Sequence, residues 1–455
     1  MTIDLSQIKK VYLAGIGGIG LSALAYYFTQ LGKEVLGSDL KESEVTKRLL
    51  AKGLLINFKQ KASNITSDID LFVYSSALPE NHAELVQAQE LQIPIYTYFQ
   101  FLGYLSQQYE TIAITGTNGK TTTTAMLGLI LEKAGLDPTV IVGSLVPQWN
   151  SNFRFGRSKI LVVEACEWQA HMLEIKPQII VLTNVAEDHL DYYKDLRDIQ
   201  KHFQKFVDKL PKGGLLVKNF DDKNSHNITT PRRTWTFGQD KPAGFYFDKP
   251  LIKDGAQHFN IYKKSQKITK VDLSVPGKYN IYNALAATAA ATHFKVNKHQ
   301  LWNAFNEFKS SWRRFEIVGE YRNNIVISDY AHHPDSILGL LRATKDFYPE
   351  KKIIAIFQPH HHNRTQTLLH DFAKSFYLAD QVIVSEIYSV SGREEETKEK
   401  ISSQDLVNLM THNKKYYAAD LLEAKKIIRA INPSNAVLLF IGAGDIDNLA
   451  RALIV

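Results

Sequence analysis

One cysteine, Cys166, stands in a chain of 455 residues. That scarcity excludes intramolecular disulfides and any metal centre built from cysteines, and it suits reducing surroundings. A metal would have to be held by oxygen or histidine. Long apolar runs are missing too: no stretch approaches the roughly 20 residues that a bilayer span needs. The opening segment, Met1 to Lys10, has no apolar signal core. A soluble cytoplasmic protein without membrane contact is therefore expected. Dense basic blocks are also absent. The net charge of +7 is spread along the chain, which argues against nucleic acid and is accounted for equally well by an anionic small substrate. Repeats, heptads and low-complexity segments are lacking as well. With 44% apolar residues, this length points to two or three ordinary domains.

Against these absences stands the run Thr115-Gly116-Thr117-Asn118-Gly119-Lys120-Thr121-Thr122-Thr123-Thr124. A short apolar strand signal, Thr111 to Ile114, precedes it, and an apolar helical run from Ala125 to Leu131 follows. A helix starting at this point turns its unbonded N–H groups and positive dipole end toward an anion. Glycines let the backbone approach, Lys120 adds a point charge, and a threonine hydroxyl can ligate magnesium. The spacing is shorter than G-x-x-x-x-G-K-[ST], because the first glycine of that pattern would fall at Ile114.

A second glycine turn occurs at the start. Val11 to Ala14 leads into Gly15-Ile16-Gly17-Gly18-Ile19-Gly20, and Glu34 to Asp39 follows as a strand ending in an acid. Gly15, Gly17 and Gly20 fit G-x-G-x-x-G, with Asp39 near the position that binds a ribose hydroxyl in dinucleotide folds. Taken alone, this pattern serves a tight strand-to-helix turn as well as it serves a nicotinamide site.

Strand signals recur at 70–76, 94–96, 160–164 and 179–184, alternating with helices as in parallel sheets buried on both faces. Residues 228–276 read as an antiparallel β insertion or edge. The α/β rhythm resumes with strands at 324–328, 352–357, 381–385 and 436–441. Three stacked α/β domains result, with boundaries at about 108 and 314.

Charged and polar groups gather at carboxyl ends of the predicted strands, where open α/β sheets bind ligands. Glu164 ends one strand and Glu187-Asp188-His189 follows the next, so Glu164 and His189 could converge on phosphate-bound magnesium, although a histidine departs from magnesium's preference for oxygen. Further on come Ser328-Asp329-Tyr330-Ala331-His332-His333-Pro334 and Phe357-Gln358-Pro359-His360-His361-His362-Asn363-Arg364. Consecutive histidines diverge on any backbone, so ligand contact suits these clusters better than zinc. Adjacent Arg313 and Arg314 stand at the expected domain join, where one could reach a nucleotide or both could be solvated.

Together these segments resemble the Mur ligase family, the ATP-dependent enzymes that add amino acids to the muramyl precursor of the bacterial cell wall. The likeness spans nearly the whole chain. Gly116 to Thr121 is similar to the family's ATP loop, Glu187-Asp188-His189 to its second metal motif, and Tyr279-Asn280-Ile281-Tyr282-Asn283-Ala284 to its adenine-contacting helix start. Within the family, Gly15 to Gly20, Ser328 to Pro334, Phe357 to His360 and Gly442 to Ile446 are most similar to the branch that joins L-alanine to UDP-N-acetylmuramate.

The resemblance implies an α/β fold in three domains. These are a Rossmann-like UDP-sugar domain (1–108), a P-loop ATPase-like central domain with a β insertion (109–314) and a Rossmann-like amino-acid domain (315–455). It implies that Gly15, Gly17, Gly18, Ile19, Gly20, Asp39 and Ser75 hold the UDP-sugar rather than a nicotinamide. Gly116, Thr117, Asn118, Gly119, Lys120, Thr121 and Thr122 would bind ATP phosphates, Asn280 and Asn283 adenine, and Arg314 and Asp329 the ribose. Thr121 and Glu164 would ligate one Mg2+, and His189 would contribute to a second. His332, His333, His360 and Arg364 match the region that holds the reacting amino acid and muramyl group, with His332 or His333 acting either as a base or in positioning. The implied chemistry is an acyl phosphate captured by an amine, in a monomer or homodimer that closes on its substrates.

Four departures bear on selectivity. Cys166 replaces an aspartate in the E-A-D-E segment, Asn118 a histidine, and His361 an arginine, while 387–393 differs in part from the common pattern. Phe203 occupies the place where other Mur ligases carry a carbamylated lysine, so no carbamate is expected. A recycling ligase that attaches a preformed peptide to the same sugar nucleotide, or a noncatalytic nucleotide-binding relative, are the alternatives.

Overall fold

The structure, a computed structural model, describes residues 3–190, 192–388 and 401–454. Among them the strands form three sheets. The first has the order β3-β2-β1-β4-β5, with β1 Lys10–Ala14, β2 Glu34–Ser38, β3 Leu55–Asn57, β4 Leu71–Tyr74 and β5 Ile95–Thr97. All its pairs are parallel. Val11 to Ala14 is buried throughout, as expected of a strand covered on both faces. Helices α1 (Ile19–Gln30), α2 (Glu44–Leu50), α3 (Ala83–Glu90) and α4 (Tyr98–Ser106) connect or follow these strands. Helix α4 starts cleanly because Thr97 and Gln100 form a reciprocal capping box.

The central sheet comprises β6 Glu110–Thr115, β7 Thr139–Val146, β8 Ser151–Arg154, β9 Ile160–Glu164, β10 Ile179–Leu182, β11 Leu215–Asn219, β12 Arg233–Phe237, β13 Phe245–Phe247, β14 Leu251–Lys253, β15 Ala256–Lys263 and β16 Gln266–Leu273. Strand β6 lies between β9 and β10, parallel to both, so the carboxyl ends of all three meet at one edge. Helix α5 (Lys120–Lys133) begins there; α6 (Leu196–Val207), α7 (Lys278–His293) and α8 (Lys298–Glu307) follow. The expected antiparallel insertion over 228–276 needs correction in its first part: β12 pairs parallel with β11, and β13 parallel with β12. Each returns through a connection longer than a hairpin turn, which permits parallel pairing. Antiparallel pairing begins only where β15 meets β13 and β14.

The third sheet has the order β17-β18-β22-β19-β20-β21, with β17 Glu316–Tyr321, β18 Asn324–Asp329, β19 Lys352–Phe357, β20 Gln381–Ser385, β21 Lys415–Ala418 and β22 Ala436–Ile441. It is parallel except for the edge strand β17, which runs antiparallel to β18.

The chain divides into two compact units. One takes the chain up to Lys249 with Phe259–Val271 and Tyr282–Phe308; the other takes Pro250–His258, Asp272–Ile281 and the chain from Lys309 onward. In the first, one apolar cluster runs from Val11, Phe28 and Phe101 to Leu161, Phe203 and Phe206, so the first and central sheets share a core, and a separate cluster around Tyr12 and Phe72 lies on the first sheet. In the second, the two faces of the third sheet carry separate clusters, one around Ile337 and Phe357 and one around Ile356 and Phe440. Among the described residues no helix is long and apolar enough to cross a membrane.

Candidate active site

The turn between β6 and α5 is built on two glycines in conformations that side chains disfavour. Gly116 has φ 128° and Gly119, the residue before α5, has φ 85°. A Cβ would lie 2.2 Å from Thr183 Oγ1 at the first position and 2.3 Å from Asn283 Oδ1 at the second. The loop is stitched to the end of β10: Thr117 N–H donates to the Asn184 carbonyl (2.9 Å), Asn118 N–H to Asn184 Oδ1 (3.0 Å), and Thr183 Oγ1 to the Asn118 carbonyl (2.6 Å). No side chain caps α5, which leaves its first turn to an anion.

Lys120 Nζ donates to the Gly116 and Thr117 carbonyls (2.6 and 3.0 Å) and to Glu167 Oε1 (2.8 Å). Burial alone would lower its pKa, but Glu167, Cys166 and Glu164 outweigh it and hold the ammonium above its ordinary value. Beside it, Thr121 Oγ1 donates to Glu164 Oε1 (3.0 Å), and the Gly143 N–H to Glu164 Oε2 (2.9 Å). Thr122 is buried in the same turn. Asn283 meets the loop from α7, its Oδ1 accepting from Thr123 Oγ1 (3.3 Å).

Glu167, Asp188 and His189 form a second cluster, with one potential ligand atom from each within 4.8 Å of the others. His189 Nε2 is 3.8 Å from both Glu167 Oε1 and Asp188 Oδ2, and His189 itself holds φ 54°. Glu164 is outside this cluster and pairs with Thr121 instead. Burial pushes the neighbouring Cys166 thiol up to about 12, with Glu167 adding to the rise. The thiol is neutral at physiological pH.

At the first glycine turn, Gly15 has φ 85° and a Cβ there would touch Ser75 Cβ at 3.0 Å. Gly17 N–H donates to Asp39 Oδ2 (2.8 Å) and Leu40 N–H to Asp39 Oδ1 (2.8 Å). Asp39 therefore braces the loop. Gly18 precedes α1, with Ile19 and Gly20 in its first turn, and no side chain caps the helix.

In the second unit, Asp329 ends β18 and accepts from the Phe315 and Ala331 N–H groups (2.7 and 2.8 Å). Burial raises its pKa against the opposing effect of Arg314. Both arginines lie over the Tyr330 ring at 5.0 Å, yet they divide in role: Arg313 is buried and bonds the Gly442 carbonyl, whereas Arg314 is partly exposed. His332 Nδ1 meets the Tyr330 carbonyl at 2.9 Å. His333 immediately precedes helix α9 (Pro334–Phe347), and the His360 ring stacks on Tyr388 at 5.8 Å. Arg364 lies in the short helix His362–Thr367, while Asn280 in the first turn of α7 donates to the Pro276 carbonyl (2.7 Å).

Three models of one family match successive parts of the chain: the Mur ligase family catalytic domain over 10–110, the Mur ligase middle domain over 114–291, and the Mur ligase glutamate ligase domain over 313–444. The chain belongs to the Mur ligase family. It is 39% identical over 452 residues to the UDP-N-acetylmuramate–L-alanine ligase of Clostridium kluyveri, covering 98% of each chain. With the ligase of the same name from Aquifex aeolicus it shares 35% over 443 residues, 97% of this chain and 96% of that one. Among solved structures, the UDP-N-acetylmuramate-alanine ligase of Thermotoga maritima superposes with a TM-score of 0.83 at 30% identity, covering 98% of both chains. The murein peptide ligase of Psychrobacter arcticus shares the fold, with a TM-score of 0.73 at 22% identity over 98% of both.

Within this Mur ligase, the cluster of Glu167, Asp188 and His189 adds Glu167 to the residues expected at a metal, and it sets Asp188 of the Glu187-Asp188-His189 motif beside His189. The sequence signal for Glu167 is the Glu164-Ala165-Cys166-Glu167 run, which it closes three residues after Glu164. Glu167 Oε2 is buried without a partner, and an unpaired carboxylate oxygen is costly unless a ligand completes it. Two carboxylates, one of them with its oxygen Oε2 unpartnered, suit a hard divalent cation such as magnesium. Phe203 is buried in the shared core. Residues 389–393, part of the divergent 387–393 segment, lie outside the described residues.

Proposed function

We infer that this Mur ligase joins L-alanine to the carboxylate of UDP-N-acetylmuramate at the expense of ATP, releasing ADP and phosphate, as a step in making peptidoglycan precursor. The observation that carries the reading is the full-length likeness to ligases of that name combined with the Lys120, Thr121, Glu164 and Glu167 constellation on one sheet edge.

The glycine turn before α1 would hold the UDP diphosphate at a helix start, with Asp39 fixing the loop and Ser75 beneath it. The turn before α5 would hold the ATP phosphates, with Asn283 and Asn280 near adenine and Arg314 and Asp329 near the ribose. A carboxylate is a poor acyl donor, because it is negatively charged and lacks a leaving group. Its oxygen attacks the γ-phosphorus, the bond to ADP breaks, and the resulting acyl phosphate is activated in both respects.

Lys120 offsets repulsion between the two anions and stabilises charge on the transferring phosphoryl group. Thr121 with Glu164, and Glu167 with Asp188 and His189, would hold magnesium, which when bound supplies further charge neutralisation at the phosphates. The neutral amine of alanine then attacks the acyl carbon, loses a proton, and phosphate leaves. His332 or His333 would take that proton or orient the amine, while His360 and Arg364 would bind the amino-acid and muramyl groups.

Incubating the protein with magnesium, ATP and UDP-N-acetylmuramate should release phosphate when L-alanine is added. No response to any amino acid sinks the reading, and turnover with a preformed peptide but not alanine would replace it with the recycling reaction.

A further inference from the structure

Helix α4 begins against the first glycine turn, and its first residue, Tyr98, meets it. A Cβ on Gly20 would lie 2.6 Å from Tyr98 Cζ and 2.8 and 2.9 Å from the adjoining ring carbons. The hydroxyl end of the phenol therefore covers the first turn of α1. The Glu164 carboxylate is within electrostatic range of the same phenol. Among the described residues, no protein group hydrogen-bonds its hydroxyl.

Its position is held firmly. Thr97 and Gln100 cap the helix. The neighbouring Phe99 stacks on His171 with centroids 3.6 Å apart, and His171 packs edge-on to Trp168 at 5.4 Å. Further along α4, a Cβ on Gly103 would lie 2.6 Å from the Glu174 carbonyl oxygen, so helix and turn are in backbone contact. The first turn of α1 is gripped independently by Asn152, which donates to the Ile19 carbonyl and to Ser22 Oγ.

Burial, with Glu164 and Cys166 adding to it, pushes the phenol pKa up, so the group stays protonated and donates. A neutral donor at the glycine turn can meet an anion without adding another charge to the site. Resting on the function proposed above, we propose that the Tyr98 hydroxyl donates a hydrogen bond to an anionic oxygen of the sugar nucleotide, its diphosphate or its lactyl carboxylate.

Tyr98→Phe keeps the ring over Gly20 and removes only the donor. Binding of UDP-N-acetylmuramate, UDP and ATP to wild type and Y98F by titration calorimetry, with kcat and KM for each substrate, tests the assignment. The expected result is a loss of about tenfold or more in affinity for UDP-N-acetylmuramate, a matching rise in its KM, and unchanged ATP affinity and melting temperature. Equal weakening of UDP places the bond on the diphosphate, and retained UDP affinity places it on the lactyl carboxylate; both support the proposal. Wild-type affinity in Y98F overturns it, as does an equal loss for ATP. A wild type that fails to bind UDP-N-acetylmuramate removes the parent reading and this one together, whereas normal wild-type binding with an unchanged variant removes this one alone.

Discussion

Lys120 Nζ lies 2.8 Å from Glu167 Oε1, and the other oxygen of that carboxylate is buried without a partner. One side chain thus neutralises the ATP-loop lysine and offers a free ligand atom beside it. Lys120→Ala should leave the fold intact and lower kcat for alanine-dependent phosphate release by about 100-fold or more, the scale of losing a charge-stabilising donor. Comparable kcat in the variant would remove Lys120 from phosphoryl transfer.

Glu167→Gln keeps the volume and a hydrogen-bonding oxygen but loses the charge. Activity should vanish on chelation, return with added magnesium, and need about tenfold or more magnesium for half-saturation in the variant. A magnesium titration that superposes on the wild type would show that the Glu167, Asp188 and His189 cluster does not hold the ion.

Gly119 combines φ 85° with a Cβ position 2.3 Å from Asn283 Oδ1. Gly119→Ala should cost about 1–2 kcal/mol in backbone strain alone, lower the melting temperature and displace Asn283, weakening ATP more than UDP-N-acetylmuramate. Calorimetry with each nucleotide checks the ordering.

The glycine turn of the first sheet offers the converse. Asp39→Ala removes the acceptor of the Gly17 N–H, a charge-assisted bond of about 1.5–3 kcal/mol. KM for UDP-N-acetylmuramate should rise by about tenfold with KM for ATP unchanged. A shared rise would mean that Asp39 supports the whole unit rather than one loop.

His171 carries a pH dependence. Burial lowers its pKa to about 4, against about 6.5 in an unfolded chain. As pH falls from about 6.5 toward 4, the unfolded chain takes up a proton that the folded protein refuses, so stability declines across that window and levels below it. His171→Phe preserves an aromatic partner for Phe99 and should flatten the fall in melting temperature between those pH values. An unchanged slope would assign the acid sensitivity elsewhere.

The loop at Lys120 was legible because strand, glycine turn and helix follow one another locally, and every element of the signal lies within about twenty residues. Glu167 was less so. Its role comes from the turn after β9 bringing it under Lys120, a contact between residues far apart in sequence. The β7–β8 hairpin escaped notice because Gly143, Ser144 and Pro147 interrupt its apolar pattern. Strand β17 did so because an edge strand with exposed Ile317 lacks the buried run of its parallel neighbours. Parallel pairing of β12 and β13 likewise depends on the path of the chain, which alternation of residues does not encode.

The close seating of α4 on Trp168–Glu174 also limits how the first sheet can be exchanged between relatives. Phe99 and Gly103 meet His171 and Glu174 at stacking and backbone-contact distance, so a chimera that imports a foreign first sheet up to Ser106 would bring the wrong surface to this turn. Because α4 also packs Phe101 on Phe28 and Tyr98 on Gly20, the graft that respects the structure carries the first sheet, α4 and Trp168–Glu174 together.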